Sequence, residues 1–266
     1  MLHRRRIARF VLLILSVSLV ALLLSAAFGP TGPTQAALLE GGKGAQLLIG
    51  RDDDNVNNPA IQPPDVAANQ SLNNADLLEG GQGNDVLIGL LGSDVLLGGP
   101  GGDILVGGTE QGSQPNSDII AGGPGDDVNI WAPGDGSDAF VGGPGLDAQV
   151  FGVIDRVNNI PTVTGPVSGF PTGVPTANVT GMNGFCTIER VEDPAFGYEF
   201  LVRFFVRSTG NLAVTIRVTE VEQVFCGGLA VGTIVFADLT QPEPEFVEVT
   251  LDQVAALNPT VRLIIR

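Results

Sequence analysis

Residues 80–88 read Gly80-Gly81-Gln82-Gly83-Asn84-Asp85-Val86-Leu87-Ile88, and residues 98–106 read Gly98-Gly99-Pro100-Gly101-Gly102-Asp103-Ile104-Leu105-Val106. Two further blocks share the turn pattern, namely Gly122-Gly123-Pro124-Gly125-Asp126-Asp127 and Gly142-Gly143-Pro144-Gly145-Leu146-Asp147. Each block is a glycine-rich turn that ends in Asp and precedes a short apolar run. Copies of one pattern kept in register indicate a repeat architecture, because chance glycine richness would not keep a fixed period.

The aspartates that end these turns belong to a longer series with a period of nine. The series is Asp76, Asp85, Asp94, Asp103, Asp118, Asp127, Asp138 and Asp147, with a step of 15 after Asp103 and of 11 after Asp127. Each repeat predicts one turn and one very short strand, so two repeats form a coil and stacked coils form a parallel β-roll. The residues expected to point inward are Leu78, Leu87, Leu96, Leu105, Ile120 and Phe140.

These blocks resemble the RTX, or haemolysin-type, calcium-binding nonapeptide Gly-Gly-x-Gly-x-Asp-x-U-x. The resemblance covers roughly residues 41–150 and implies a β-roll that binds Ca²⁺. Glycine allows tight turns that expose carbonyl oxygens, and Asp adds the hard anionic oxygen that calcium prefers. The expected calcium-binding residues are Gly80, Gly81, Gly83, Asp85, Gly98, Gly99, Gly101, Asp103, Gly122, Gly123, Gly125, Asp127, Gly142, Gly143, Gly145, Asp147, Asp76, Asp94, Asp118 and Asp138.

Successive turns of such a roll lie on opposite edges. The regular edge carries the four complete blocks, which end at Asp85, Asp103, Asp127 and Asp147. The variable edge carries the turns that end at Asp76, Asp94, Asp118 and Asp138, together with both changes in length. We expect ions between consecutive turns of the regular edge, and a larger loss of affinity from changing Asp103 than Asp94. Residues 41–49 look like one more regular-edge copy, in which Gln46 replaces Asp.

Charge and histidine content exclude several classes of function. The chain has 29 acidic and 13 basic residues, and no Lys or Arg lies between Arg51 and Arg156. Such a surface repels phosphate, so nucleic acid is excluded as a partner. The single histidine is His3, inside the targeting segment described next, which excludes Ser-His-Asp and Cys-His catalysis and HExxH zinc sites.

The amino end predicts export. Residues 1–9 are basic, and residues 10–28 are uncharged and largely apolar. Two interpretations remain open for residues 1–28: a cleaved secretory signal peptide, or an uncleaved membrane anchor. Both place the following chain outside the cytosol, so we expect a secreted, extracellular protein with no membrane contact unless this segment is retained. Residues 29–40 are expected to be a linker, and the roll to span 41–152.

The carboxyl half changes in composition. Residues 153–184 are rich in Gly, Pro, Thr and Val and predict a linker, whereas residues 185–266 predict a small antiparallel β-sandwich or barrel. The chain is therefore expected to be all-β. Within 185–266 we expect a single helical turn at 252–257 and a last strand at 261–266. Cys186 and Cys226 predict one disulfide, with two buried free thiols as the alternative.

Three polar or aromatic positions interrupt the apolar pattern near the end of the roll. Asn129 and Gln149 occupy inward slots, so either the strand phase reverses there or the apolar flanks dock on the next domain. Trp131 is interpreted as a packed aromatic residue rather than as a ligand platform.

The sequence is consistent with two functions. The first is a secreted calcium-binding protein whose roll folds on binding Ca²⁺ and acts as a scaffold for a carboxyl-terminal module with an unknown surface, glycan or protein partner. The alternative is a small extracellular carbohydrate-active enzyme that uses carboxylates among Glu189, Glu192, Asp193 and Glu199. We predict that the chain is not an enzyme, because most catalytic constellations need groups that it lacks.

Overall fold

The computed structural model describes residues 38–49, 76–108, 117–157, 160–191 and 197–266. The predicted signal peptide, most of the linker after it and the Asp52–Asp54 acidic run lie outside these ranges. The strands of the repeat region are β1 (Leu38–Lys43), β2 (Leu47–Ile49), β3 (Leu77–Gln82), β4 (Val86–Leu90), β5 (Val95–Leu97), β6 (Ile104–Gly108), β7 (Ile119–Ala121), β8 (Val128–Trp131), β9 (Ala139–Val141) and β10 (Ala148–Phe151).

These strands form two parallel sheets. Sheet A contains β1, β3, β5, β7 and β9, and sheet B contains β2, β4, β6, β8 and β10. Strands that follow variable-edge aspartates enter sheet A, and strands that follow regular-edge aspartates enter sheet B. The register joins equivalent positions of successive coils, as in the pairs Leu78 with Leu96 and Leu87 with Leu105. The predicted parallel β-roll is confirmed.

Residues 41–49 form a coil in register with the rest, as predicted. Gly42 of β1 pairs with Gly81 of β3, and Leu48 of β2 pairs with Leu87 of β4. The side chains buried between the two sheets are also those that the sequence predicts. All six side chains of the inward column are fully buried in one cluster between the two sheets.

The carboxyl half contributes more strands and two helices. The strands are β11 (Val153–Ile154), β12 (Arg156–Val157), β13 (Ile160–Pro161), β14 (Ala177–Asn178), β15 (Gly184–Arg190), β16 (Phe200–Val206), β17 (Leu212–Thr219), β18 (Gln223–Gly227), β19 (Ile234–Asp238) and β20 (Val247–Val249). The helices are α1 (Leu251–Leu257) and α2 (Pro259–Ile264).

The antiparallel strands continue the two sheets of the roll. Strand β17 pairs in parallel with β9, and β16 and β15 follow it in antiparallel order in sheet A. Strand β18 pairs in parallel with β10, and β19 and β20 follow it in sheet B. The predicted antiparallel sandwich is therefore present as an extension of the roll. This arrangement covers the edges of β9 and β10, which would otherwise expose unpaired backbone groups.

The predicted disulfide is confirmed. Cys186 of β15 and Cys226 of β18 are bonded across the interior, with a Cα–Cα distance of 6.2 Å and a separation of 40 residues. Closing a loop of that length stabilises the fold by about 3–4 kcal/mol in the chain-entropy model. The bond joins sheet A to sheet B within the carboxyl-terminal part.

Residues 153–184, predicted to be a linker, also contribute to a second hydrophobic core. Phe170, Val174 and Val179 are buried against the outer face of sheet B, together with Val254 and Ile264 of the helices. The side chains that they cover include Val86, Ile88, Ile104 and Val106. Strands β4 and β6 of sheet B are thus buried on both faces, which explains why they read as continuous apolar runs.

The prediction for the carboxyl terminus is partly wrong. The helical turn at 252–257 is confirmed as α1, which begins with a capping box between Thr250 and Gln253. The strand predicted at 261–266 is replaced by α2. Asn258 caps this helix by accepting a hydrogen bond from the Val261 N–H, and Pro259 occupies its first position. Asn followed by Pro is a helix-start signal, and it outweighs the β preference of the apolar residues that follow.

The strand phase does not reverse at the inward amides. Asn129 pairs with Gln149 across β8 and β10, and the Asn129 Nδ2 donates to the Gln149 Oε1 at 2.8 Å. The apolar flanks, such as Ile130, lie in the second core. Trp131 is a packed aromatic residue, as predicted, with its ring centroid 5.5 Å from that of Phe151. Within the described ranges, no helix has the length and apolar character needed to cross a membrane.

Candidate metal centre

The turns of the regular edge stack backbone upon backbone. Gly101 has a φ of +153°, and a Cβ added there would lie 1.6 Å from the Gly83 carbonyl oxygen. Gly125 has the same relation to the Gly101 carbonyl oxygen, also at 1.6 Å. Only glycine leaves room for this approach, so the glycines of the repeat set the spacing between successive carbonyl-lined turns.

The aspartates of the regular edge form a ladder of hydrogen bonds. One carboxylate oxygen of each, Oδ1, accepts from the main-chain N–H of the equivalent residue one coil earlier. The donor and acceptor pairs are Asp85 to Asp103, Asp103 to Asp127 and Asp127 to Asp147, at 2.7 to 2.8 Å. Gln46 begins the series, because its N–H donates to the Asp85 Oδ1 at 2.7 Å. The ladder fixes each carboxylate in orientation.

The second carboxylate oxygen of each regular-edge aspartate has no such partner. Within the described residues, the Oδ2 atoms of Asp85, Asp103, Asp127 and Asp147 are buried without a hydrogen bond. Each Oδ2 faces the first glycine of its own turn. A Cβ added to Gly98 would lie 2.3 Å from the Asp103 Oδ2 and 2.7 Å from the Gly122 carbonyl oxygen. A carboxylate oxygen and a carbonyl oxygen thus lie close together beside Gly98, and these are the types of oxygen that calcium prefers as ligands.

Burial raises the pKa of these carboxyl groups. The pKa is about 7 for Asp103, about 8 for Asp147 and about 9 for Asp127, and that of Asp85 is also raised. Desolvation is the main cause, the ladder hydrogen bonds oppose it, and neighbouring carboxylates such as Asp85 beside Asp103 add to it. Holding several buried negative charges in a row is costly, and a divalent cation between the turns would offset that cost.

The variable edge carries its own ladder. Asp76 donates through its N–H to the Asp94 Oδ1 at 2.7 Å, Asp94 to Asp118 at 2.8 Å and Asp118 to Asp138 at 3.0 Å. The turns around this ladder differ in length, unlike those of the regular edge. The four variable-edge aspartates are buried, as the other four are, but the sequence steps that lead to Asp118 and Asp138 are longer than nine residues.

Asp135 joins the variable edge, although the repeat pattern does not include it. Carboxylate oxygens of Asp118, Asp135 and Asp138 lie within 4.8 Å of one another, a grouping that could hold a metal ion. Asp135 accepts hydrogen bonds from the N–H groups of Gly108 and Gly136. Burial raises its pKa to about 6. The only sequence signal for Asp135 is the step of 11 residues after Asp127, which adds two residues to that turn.

Glu222 ends the regular-edge ladder, and the repeat pattern does not predict it. Its Oε2 accepts from the Asp147 N–H at 2.8 Å, across 75 residues of sequence. Burial is the main reason that the pKa of Glu222 is raised, and the charges of Glu220 and Glu199 add to it. Glu222 lies outside the repeats, so no periodicity identifies it.

The acidic cluster of the alternative function is only partly within the described residues. Glu189 is exposed on β15 and forms an ion pair with Arg203. Glu199 is exposed just before β16. Glu192 and Asp193 lie outside the described residues.

Comparison with known proteins supports the interpretation of the repeats. A family model, the RTX calcium-binding nonapeptide repeat in four copies, matches residues 72–109. This range contains the turns that end at Asp76, Asp85, Asp94 and Asp103. A search of curated proteins found no match, and a search of solved structures found none either.

Proposed function

Since the chain carries RTX calcium-binding nonapeptide repeats, we propose that it is a secreted protein whose roll folds on binding Ca²⁺ and serves as a scaffold for its carboxyl-terminal strands. The observation that carries this proposal is the row of buried Oδ2 atoms on the regular edge. Those of Asp85 and Asp103 lie near the carbonyl oxygens of Gly98 and Gly122 in the next turn, so a bound ion would satisfy both kinds of oxygen.

Calcium binding and folding are coupled in this proposal. Without the ion, the regular edge stacks like charges in a region of low dielectric, which opposes folding. With the ion, each carboxylate gains a ligand bond, and the free energy of binding becomes free energy of folding.

Three observations support an extracellular location. The disulfide between Cys186 and Cys226 belongs to an oxidising compartment. Calcium at about 1 mM, within the range of dissociation constants of extracellular calcium modules, is enough to fill such sites outside the cell. The segment 1–28 supports the same location on its sequence.

Circular dichroism of the whole chain tests the coupling. Calcium is removed with EDTA and then restored to about 1 mM, with Mg²⁺ as a control because it demands a tighter octahedral geometry. We expect β signal to appear with Ca²⁺ and not with Mg²⁺. A chain with the same spectrum in EDTA and in Ca²⁺ would contradict the proposal.

A matched pair of variants makes this test specific. The triple change Asp85→Asn, Asp103→Asn and Asp127→Asn keeps the Oδ1 acceptor and removes the charge, so the calcium response should disappear. The change Asp155→Asn alters an aspartate that is paired with Arg266 away from the turns and should leave the response intact.

The partner of the carboxyl-terminal strands is proposed to be a surface, a glycan or another protein. A glycan array probed with the whole chain, in calcium and in EDTA, tests the glycan case. Calcium-dependent binding supports a module that the roll presents. That the chain is not an enzyme stays a prediction, and a screen for glycan hydrolysis tests it.

A further inference from the structure

A short turn of the carboxyl-terminal part closes the regular edge of the roll. It consists of Thr219 to Glu222 and joins β17 to β18, the two strands that pair with the last coil. It therefore stands where the next regular-edge turn would follow the one that ends at Asp147. Glu220 has a φ of +52°, a left-handed conformation that allows the chain to reverse within so few residues.

The hydrogen bonds that join consecutive regular-edge turns recur at this turn. Within the roll, the second glycine of a turn donates to the carbonyl of the first glycine of the next turn, at 2.8 to 3.1 Å. Gly143 donates in the same way to the Glu220 carbonyl oxygen at 3.2 Å. The Asp147 N–H donates to the Glu222 carboxylate, just as the earlier ladder aspartates donate to the next Asp. Glu220 and Glu222 thus take the places of a first glycine and of an aspartate.

The oxygens around the last turn converge as they do inside the roll. Asp147 is fully buried, and its Oδ2 has no hydrogen-bond partner among the described residues. A Cβ added to Gly142 would lie 2.6 Å from this Oδ2 and 2.2 Å from the Glu220 carbonyl oxygen. The corresponding space beside Gly98 is bounded by the Asp103 Oδ2 and the Gly122 carbonyl oxygen. The unpaired oxygen of Asp147 and the Glu220 carbonyl oxygen therefore lie close together on one side of Gly142.

Charge and exposure at this place fit a bound cation. Glu222 lies next to Asp147 and, with Asp126 and Glu220, surrounds it with negative charge. Glu220 and Glu222 are only half-buried, so water can reach the outer side of the space and supply the remaining ligands. Calcium takes six to eight oxygens and accepts waters among them.

We propose that Asp147, Glu220 and Glu222 hold a divalent cation of the calcium class at the junction between the roll and the carboxyl-terminal strands. The ligands are the Asp147 Oδ2, the Glu220 carbonyl oxygen and the Glu222 carboxylate. The ion fastens β17 and β18 to the last coil, so calcium binding extends its effect to the antiparallel strands. This inference rests on the proposed function, because it uses the same type of ligand set.

Counting the ions bound to the whole chain tests the site. Equilibrium dialysis against ⁴⁵Ca²⁺ is run on the unchanged chain, on Glu222→Gln and on Glu248→Gln. Glu222→Gln keeps an oxygen that can accept from the Asp147 N–H and removes the charge. Glu248→Gln makes the same change at an exposed position of β20. We expect Glu222→Gln to bind one ion fewer, or the last ion at least about tenfold more weakly, and Glu248→Gln to match the unchanged chain.

The outcomes separate this inference from the proposed function. If Glu222→Gln binds as many ions as the unchanged chain with equal affinity, the junction site is overturned and the calcium-binding roll stands. If the unchanged chain binds no calcium, the proposed function itself fails.

Crystals of the unchanged chain give a test that does not depend on a variant folding. They are grown with calcium and measured for anomalous scattering. A peak between Gly142 and the Glu220–Glu222 turn supports the site. Peaks only between the earlier turns of the regular edge overturn it.

Discussion

The main-chain N–H of Asp147 donates to the carboxylate of Glu222 at 2.8 Å, although the two residues are 75 positions apart. Asp147 is the last aspartate of the repeats, and Glu222 belongs to the antiparallel strands. The bond continues the ladder that runs through Asp103 and Asp127. The roll and the carboxyl-terminal strands therefore share one row of carboxylates as well as two sheets. A substitution in the ladder should change the stability of both parts.

Calcium affinity should depend more on the regular edge than on the variable edge. Asp103→Asn removes one charge between two turns of the same geometry, whereas Asp94→Asn removes one beside turns of different length. We expect Asp103→Asn to raise the calcium dissociation constant at least about tenfold more than Asp94→Asn, as isothermal titration calorimetry would show. Equal effects of the two substitutions would contradict the distinction between the edges.

Stability without calcium should fall as the pH rises. The pKa values of Asp103, Asp127 and Asp147 are raised to between about 7 and about 9 from the ordinary value of 3.8. At a pH between the ordinary pKa and these raised values, the unfolded chain has lost protons that the folded chain keeps. Raising the pH through this range therefore favours unfolding. With calcium present, stability should instead rise with pH, because protons compete with the ion for the carboxylates at low pH.

Thermal melting at pH 5 and pH 8, with and without Ca²⁺, measures this dependence. The calcium-free chain should melt at a higher temperature at pH 5. Asp127→Asn should flatten the dependence of the melting temperature on pH, because it removes the group with the highest pKa of the three. A calcium-free chain that is at least as stable at pH 8 as at pH 5 would show that the buried carboxyl groups do not control its stability.

A side chain between stacked turns should disrupt the regular edge. Gly101→Ala would place a Cβ 1.6 Å from the Gly83 carbonyl oxygen, so the backbone must move. We expect a loss of about 2–3 kcal/mol in the free energy of unfolding in calcium, the upper range for single substitutions. Gly165→Ala is the control, since nothing lies within 4 Å of its Cβ. Urea denaturation compares the two, and equal stability would argue against close stacking.

The buried amide pair should behave as a unit. Asn129→Leu removes the donor to the Gln149 Oε1 and leaves that oxygen buried without this bond. We expect a cost of about 1–3 kcal/mol. Changing both residues to Leu should recover most of it, because the surrounding column is apolar. A double-mutant cycle in urea measures the coupling, and simple additivity of the two losses would refute the pairing.

Much of the fold can be predicted from the sequence because each repeat encodes its own turn and strand. The nine-residue period fixes the parallel pairing, and it places Leu78, Leu96 and Phe140 in one buried column. The strand predicted at the carboxyl terminus was wrong because Asn258 and Pro259 start a helix there. The outer face of sheet B is apolar, and only the folded chain shows that α1, α2 and residues 167–179 cover it.

The sequence by itself determined the roll, its two edges and the positions of the ladder aspartates, because these follow from local spacing and from residue chemistry, and it predicted the disulfide that the structure contains. The tertiary structure alone decided that Asp135 joins the variable edge and that Glu222 completes the regular edge. It also decided that the antiparallel strands extend the roll's sheets. The physical reason is that β9 and β10 end the roll with unpaired backbone groups, and residues far along the chain satisfy them.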